Sequence, residues 1–338
     1  MSLKQSELTQ IPLNERLRAI IVLLRPHQYY KNFLVFFGIF FSKNLFRIDL
    51  WLPIGLAFIS LCLTSSFNYL INDFRDREKD RHHPEKCNRP FPSGAISTFH
   101  GIIIAVTLVT IILIILIILP PSFVFPYGAP ENLIEQGSIS VPSKTAFILV
   151  LGGFFVTSQI YSLFLKRIVF ADTIMISVNY VWRAIAGAVL INVFVSPWLI
   201  ILCFTTAMML SLAKRKGDFV VLQEKASQHK QVFEKYSPEL LDQSLATITA
   251  VELLAIFIYL VDRHPNETVF IVLALPLFTF AIFRYLFLVS SNSVVGRRAE
   301  RLFFDKQLLI VGFIILLLFF LAIYFPNFLD NLLGISDP

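Results

Sequence analysis

Asn72-Asp73-Phe74-Arg75-Asp76-Arg77-Glu78-Lys79-Asp80 follows directly on residues 50–70, an apolar segment long enough to cross a bilayer. Asp73, Asp76 and Asp80, spaced i, i+3 and i+7, fall on one side of a helix. Asn72, Asp76 and Asp80 form a second row beside them, and Asn68 and Asn72 precede the carboxylates along the same face. Ionised carboxylates next to hydrocarbon are costly and need a cation to offset them. Hard oxygen ligands suit Mg²⁺, which commonly bridges carboxylates to substrate phosphates. The stretch therefore points to a diphosphate held on Mg²⁺ at a membrane surface. A competing reading is a solvated charged turn whose acids pair with Arg75, Arg77 and Lys79.

The rest of the chain supplies the membrane. Of its 338 residues 56% are hydrophobic, and a mean hydropathy of +0.71 excludes an ordinary soluble protein. Nine candidate spans lie at about 33–46, 50–70, 98–119, 145–165, 168–190, 197–213, 243–261, 268–288 and 307–326; the first is short and has an alternative start nearer Tyr29. The expected fold is an all-α, polytopic helical bundle of about nine transmembrane helices, forming one integral-membrane domain over 1–338. Two helical halves that have diverged beyond recognition are compatible with the same pattern. Before the first span, Leu13, Leu17, Ile20, Ile21 and Leu24 repeat at helical spacing, as in an interfacial helix. No removable signal peptide is expected, because the segment up to Asn32 is polar and basic. Cys62, Cys87 and Cys203 have no CxxC spacing and imply neither a disulfide framework nor a zinc site.

Nine spans put the termini on opposite sides and sort the charges. Of the 29 lysines and arginines, all but Lys43, Arg47, Lys144, Arg263, Arg183 and Arg284 fall on one face. The positive-inside rule makes that face cytoplasmic. It carries three segments: 1–32, an Asp-rich active-site loop at 71–97, and a second loop at 214–242. Pro120 to Ser143, on the other side, is a lid-like connector with no chemical signal of its own.

Several basic clusters share the cytoplasmic face. His82, His83, Lys86 and Arg89 follow the aspartates and suit an anion-binding rim, although a solvated loop would look the same. Arg25-Pro26-His27-Gln28-Tyr29-Tyr30-Lys31-Asn32 reads equally as a snorkelling flank and as a lipid-phosphate site through Arg25 and Lys31. Tyr161, Ser162, Lys166 and Arg167 end the fourth span. Arg183 lies deep in the fifth, where an arginine costs about 2.5–3.5 kcal/mol on insertion scales and should face a polar interior. It suits either helix packing or a pocket. Ala184, Gly187 and Ala188 beside it allow close helix approach. Lys214-Arg215-Lys216-Gly217-Asp218 ends the sixth span; Asp218 suits a second metal shell, and Glu224 is a weaker candidate.

These motifs resemble the UbiA superfamily of intramembrane prenyltransferases. NDxxDxxxD matches at Asn72, Asp73, Asp76 and Asp80, RPxPSG at Arg89 to Gly94, and YxxxxKR at Tyr161, Lys166 and Arg167. The finer pattern is similar to the decaprenyl-phosphate phosphoribosyltransferase branch. It is carried by Arg25-Pro26-x-Gln28-x-x-Lys31-Asn32, by Asp80-Arg81-x-His83-Pro84-x-Lys86-x-x-Arg89-Pro90, by Arg183-Ala184-Ile185-Ala186-Gly187 and by Lys214-Arg215. Prenyl-diphosphate users of the superfamily generally carry a second DxxxD motif after the sixth span. Here Asp218 has no aspartate four residues on, which favours the phosphoribosyl branch.

The resemblance implies Mg²⁺-dependent transfer of a 5-phosphoribosyl group from phosphoribosyl diphosphate to a polyprenyl phosphate, a step of cell-envelope biosynthesis in the plasma membrane. By that likeness Asp73, Asp76 and Asp80 are the catalytic, metal-holding residues. Asn72, Arg25, Lys31, His83, Lys86, Arg89, Tyr161, Lys166, Arg183, Lys214 and Asp218 bind substrate. The partners are the donor diphosphate, the lipid phosphate and the bilayer, with no nucleic acid. Two rivals stand beside it: prenyl transfer from a prenyl diphosphate to an aromatic or lipid acceptor, and a transporter with Asn179 and Arg183 lining a path. The transporter reading is weakened by a charged cluster lying at one face and not at the midplane.

Overall fold

A computed structural model describes residues 13–82, 86–119, 142–222, 236–291 and 304–333. The connector at 120–141, His83 and Glu224 lie outside them. Among the described residues eight helices are long and apolar enough to cross a membrane. The chain is an integral, multi-pass, all-α protein. It divides into two compact units, Met1–Leu163 with Trp182–Val195, and Phe164–Val181 with Ser196–Pro338.

The first expected span takes a different form. Helix α1 (Leu13–Leu24) stops where Pro26 offers no backbone N–H, and Arg25 turns into the left-handed region at φ 54°. Pro26–Phe36 then winds as a 3₁₀ helix and passes into the short α2 (Phe37–Phe41). At about 2.0 Å per residue for the 3₁₀ part and about 1.5 Å for the α part, Pro26–Phe41 reaches about 30 Å, the thickness of the hydrocarbon layer. A ninth crossing is thus geometrically available at 26–41 in place of 33–46. Phe33, Phe37 and Phe41 form an exposed row along it.

Helix α3 (Trp51–Arg81) continues without a break through the aspartate stretch, so 71–81 is the last part of a helix and the loop starts after it. Thirty-one residues extend about 46 Å, well over the hydrocarbon thickness of about 30 Å. Asp73, Asp76 and Asp80 therefore project beyond the apolar part of the helix. In the first unit α3 is joined by α4 (Thr98–Ile118), α5 (Ser143–Leu163) and the last part of α6 (Ala171–Leu190). Val35, Leu61, Phe147, Phe154 and Ala186 share one buried cluster there. The small residues of α6 do what their size predicts. A Cβ on Gly187 would stand 1.8 Å from the Val35 carbonyl oxygen, and one on Gly38 2.8 Å from the Ala188 nitrogen.

The second unit holds the start of α6, α7 (Pro197–Leu222), α8 (Pro238–Arg263), α9 (Thr268–Ser290), α10 (Lys306–Tyr324) and α11 (Phe328–Leu333). The buried Glu252 carboxylate of α8 accepts from the Thr205 and Thr206 hydroxyls of α7, which satisfies a charge-capable group inside an apolar helix pair. A second tie lies at the end of the apolar part. Arg215 meets Asp172 at 2.7 Å, and the Tyr236 hydroxyl donates to Asp172 Oδ1 at 3.1 Å while accepting from the Phe170 N–H at 2.8 Å.

Candidate active site

The kink before α3's partner segment delivers the first site residue. Because Pro26 lacks an N–H, the chain leaves carbonyls at the end of α1 in need of donors. Ser66 of α3 donates to the Leu24 carbonyl at 2.8 Å, and Tyr29 donates to Ser66 Oγ at 2.7 Å. Fixed this way, Arg25 reaches α3 with both donors of one Nη: 2.7 Å to Asp73 Oδ1 and 2.9 Å to Asp73 Oδ2. Its guanidinium also lies 4.8 Å from the centroid of the Tyr69 ring.

The second guanidinium comes from the other direction. Arg89-Pro90-Phe91-Pro92-Ser93-Gly94 folds into a tight turn closed by Ser93 N–H to Arg89 O at 2.9 Å and Ile96 N–H to Pro90 O at 3.0 Å, with Gly94 at φ 79°. Phe91 anchors the turn, buried edge-on against Phe74 at 5.6 Å. Arg89 Nη1 then bridges two carboxylates, 3.0 Å to Asp73 Oδ1 and 2.9 Å to Asp80 Oδ2. Lys86 stands 3.9 Å from Asp80. Burial holds the Lys86 amine below the ordinary lysine range, with Asp80 opposing and Arg89 reinforcing the shift. Asp73 and Asp80 are 2% and 3% exposed, whereas their basic partners stay partly in solvent, which screens the pairs in part.

This geometry answers the charged-turn alternative for two of the three acids. Asp73 and Asp80 take their partners from Arg25 and Arg89, outside the stretch. Arg75 instead reaches α5, at Gln159 Oε1 (3.3 Å) and Ser162 Oγ (3.4 Å). Arg77 stacks on Phe74 and meets Glu78. Asp76 lies half-buried between its two neighbours on α3, and Asn72 Oδ1 is buried with no hydrogen-bond partner among the described residues.

The other expected residues are distributed as follows. Lys31 lies over the Tyr30 ring at 5.8 Å, and Tyr161 is half-buried near the end of α5. Arg183 is buried in the first unit, where its Nε donates to Asn32 Oδ1 at 2.8 Å and its guanidinium lies over Phe154 at 4.6 Å. Asn32 in turn donates to Cys62 Sγ at 3.2 Å. Lys166, Lys214 and Asp218 belong to the second unit, Lys214 exposed and the other two half-buried. Sequence reading missed the Asn68–Gln159 and Asp172–Arg215–Tyr236 contacts and the Glu252 pin. Glu252 was findable as a lone carboxylate inside an apolar run; the others pair residues far apart in the chain and carry no local signal.

The donor set suits a hard cation. Asp73, Asp76 and Asp80 offer only oxygen, on successive turns of one helix, as Mg²⁺ requires. Among the described residues no three metal-ligating side chains are gathered at ligating distance; Asp73 and Asp80 are paired with Arg25 and Arg89.

Residues 33–130 match the model of the UbiA prenyltransferase family. The chain is 24% identical to a decaprenyl-phosphate phosphoribosyltransferase of Corynebacterium glutamicum over 271 residues, covering 79% of this chain and 75% of the relative. It is 23% identical to that of Mycobacterium tuberculosis over 292 residues, covering 84% and 87%. Among solved structures, a UbiA homolog from Archaeoglobus fulgidus bound to DMAPP and Mg²⁺ shares the fold with a TM-score of 0.60 at 18% identity, covering 90% of this chain and 98% of the other. Fold, motifs and relatives together support one class, the UbiA superfamily of intramembrane transferases. Within it, they support a position near the decaprenyl-phosphate phosphoribosyltransferase branch.

Proposed function

We propose that the chain transfers a 5-phosphoribosyl group from phosphoribosyl diphosphate to a polyprenyl phosphate. The C1–O bond to diphosphate breaks, an acceptor phosphate oxygen bonds C1, and diphosphate leaves. The observation that carries the reading is the double guanidinium clamp on Asp73 and Asp80. Joining two anionic substrates requires their mutual repulsion to be offset, and pre-set arginines do this without reorganising water. A prenyl donor with a neutral acceptor would need fewer cations.

Asp73, Asp76 and Asp80 would hold Mg²⁺, which when bound neutralises charge on the diphosphate leaving group. Lys86 and Arg89 bind donor phosphates; Arg25 and Lys31 flank the acceptor phosphate. The acceptor is already anionic near neutral pH, so no general base is required. Charge develops at the ribose anomeric carbon, as in other glycosyl transfers. The site opens to the cytoplasm from the plasma membrane, in keeping with the positive-inside distribution.

The test is incubation of purified protein with ribose-labelled phosphoribosyl diphosphate, polyprenyl phosphate and Mg²⁺. Label entering the lipid phase is expected, and Asp73→Ala or Asp76→Ala should abolish it while the protein still inserts. No ribose label in the lipid, with consumption of a prenyl diphosphate instead, would overturn the assignment in favour of prenyl transfer. Flux through proteoliposomes without chemical change would support the transporter.

A further inference from the structure

One face of α3 carries a column of polar side chains, three of which have a buried atom with no hydrogen-bond partner among the described residues. Ser65, Asn68, Asn72 and Asp76 follow one another at i, i+3, i+7 and i+11, so they stack on a single side of the helix. Ser65 Oγ, Asn68 Nδ2 and Asn72 Oδ1 are each buried with no hydrogen-bond partner among the described residues. Buried polar groups are normally paired, since leaving one unpaired is destabilising. Three on successive turns, leading directly to Asp76, form a pattern and not a stray defect.

The orientation of the Asn68 amide is set by its neighbours. Asn68 Oδ1 accepts from Gln159 Nε2 at 2.6 Å. Gln159 Oε1 accepts from Arg75 Nη2 at 3.3 Å, and Arg75 Nη1 donates to Ser162 Oγ at 3.4 Å. With its oxygen committed to α5, Asn68 presents a spare N–H donor. One turn on, Asn72 presents a spare oxygen acceptor, and the two are not bonded to each other. A donor and an acceptor offered side by side match a hydroxyl, which accepts through its oxygen and donates through its hydrogen.

We propose that Asn68 and Asn72 together bind a ribose hydroxyl of the donor, the 2- or 3-hydroxyl, with Asn68 Nδ2 donating to it and Asn72 Oδ1 accepting from it. The inference rests on the phosphoribosyl reading and makes this pair its specificity device. Asn72 adjoins Asp73 in the chain, so a group bound between Asn68 and Asn72 lies next to a diphosphate held at the carboxylates. A sugar diphosphate carries hydroxyls at that distance from its leaving group, whereas a prenyl diphosphate carries none. Gln159 is a positioning residue, holding the Asn68 amide in the orientation that leaves its N–H unpaired.

The test is calorimetric binding to the full-length protein in lipid nanodiscs with Mg²⁺, using phosphoribosyl diphosphate, its 2-deoxy and 3-deoxy analogues, and inorganic pyrophosphate. One deoxy analogue should bind at least about tenfold more weakly than the parent, as expected when a site built for a hydroxyl loses it. Asn68→Leu should weaken the parent by a similar factor, leave pyrophosphate affinity unchanged, and erase the discrimination between parent and analogue. Equal binding of the parent and both analogues by the wild-type protein overturns the inference while leaving the donor assignment intact. Discrimination that persists in Asn68→Leu also overturns it. If Asn68→Leu loses pyrophosphate binding as well, the variant is misfolded and the wild-type analogue comparison decides. Binding of pyrophosphate with none of phosphoribosyl diphosphate overturns the donor assignment, and this inference with it.

Discussion

Asp73 receives three charge-assisted hydrogen bonds, two from Arg25 and one from Arg89, while almost wholly shielded from water. A carboxylate so placed serves stability as well as the proposed metal binding, because its removal strands the Arg25 guanidinium and leaves Arg89 with Asp80 alone. Hydrogen bonds to charged groups contribute about 1.5–3 kcal/mol each, reduced here because Arg25 and Arg89 are partly exposed. Asp73→Asn should therefore lower the midpoint of thermal unfolding in detergent and also abolish Mg²⁺-dependent pyrophosphate binding. An unchanged melting curve would show that the clamp does not hold in solution. The carboxylates were legible in the sequence because a helix aligns i, i+3 and i+7 whatever surrounds it. Their partners were only half legible. Arg25 and Arg89 stood out as candidate phosphate-binding residues, but that both would converge on Asp73 depends on the Arg25 kink and the Phe91 anchor, which bring together residues 48 and 16 positions from Asp73.

At the scale of elements, the contact of Pro26–Phe36 with α6 is set by the absence of one side chain. The Val35 carbonyl occupies the space that a Cβ on Gly187 would take. Backbone cannot rotate away as a side chain can, so Gly187→Ala should cost at least about 1–3 kcal/mol through overpacking, read as a loss of thermal stability with no direct effect on the carboxylates. In the second unit Tyr236 fastens the start of α8 to the turn before α6. Its hydroxyl is the acceptor for the N–H of Phe170, itself at φ 62°. Tyr236→Phe should cost about 1–3 kcal/mol for a buried donor left unpaired. Burial and the nearby Asp172 carboxylate push the Tyr236 phenol up to about 12, against the Phe170 N–H and Arg215, which lower it. The folded state thus favours the protonated phenol. Its contribution is complete below the ordinary value of 10.0 and is lost as pH rises through about 12. The stability gap between wild type and Tyr236→Phe should narrow across that window in melting curves recorded at increasing pH; a constant gap would contradict the assignment. Periodicity announced the existence of α3 to α10 because apolar runs of this length have few alternatives. It set the first span at 33–46 and not at Pro26–Phe41, because His27, Gln28, Lys31 and Asn32 carry no apolar signal although the 3₁₀ segment through them adds length.

At the scale of the whole molecule, the proposed orientation in the membrane rests on charge and on the length of α3. Basic residues are retained on the cytoplasmic side during insertion, and the stretch around Lys79 and Arg81 is far richer in them than the turn at Lys43 and Arg47. Helix α3 begins just after Arg47, at Trp51, and ends at Arg81. Its length of about 46 Å exceeds the hydrocarbon thickness of about 30 Å, so these two positions lie on opposite faces. The proposed sidedness is a reading of sequence alone, because the rule reads composition and needs no tertiary contact. Sequence did not give the division into two compact units, since no repeat period marks it and α6 runs through both. The expected outcome is concrete. With Cys62, Cys87 and Cys203 replaced by serine, Lys79→Cys should react with a membrane-impermeant maleimide only in inside-out vesicles, and Arg47→Cys only in right-side-out ones. Both positions are exposed, so a failure to label would not arise from burial. Reversed labelling would put the carboxylates on the outer face, away from any cytosolic phosphoribosyl diphosphate, and the proposed donor would have to be abandoned even if the fold and the clamp stood unchanged.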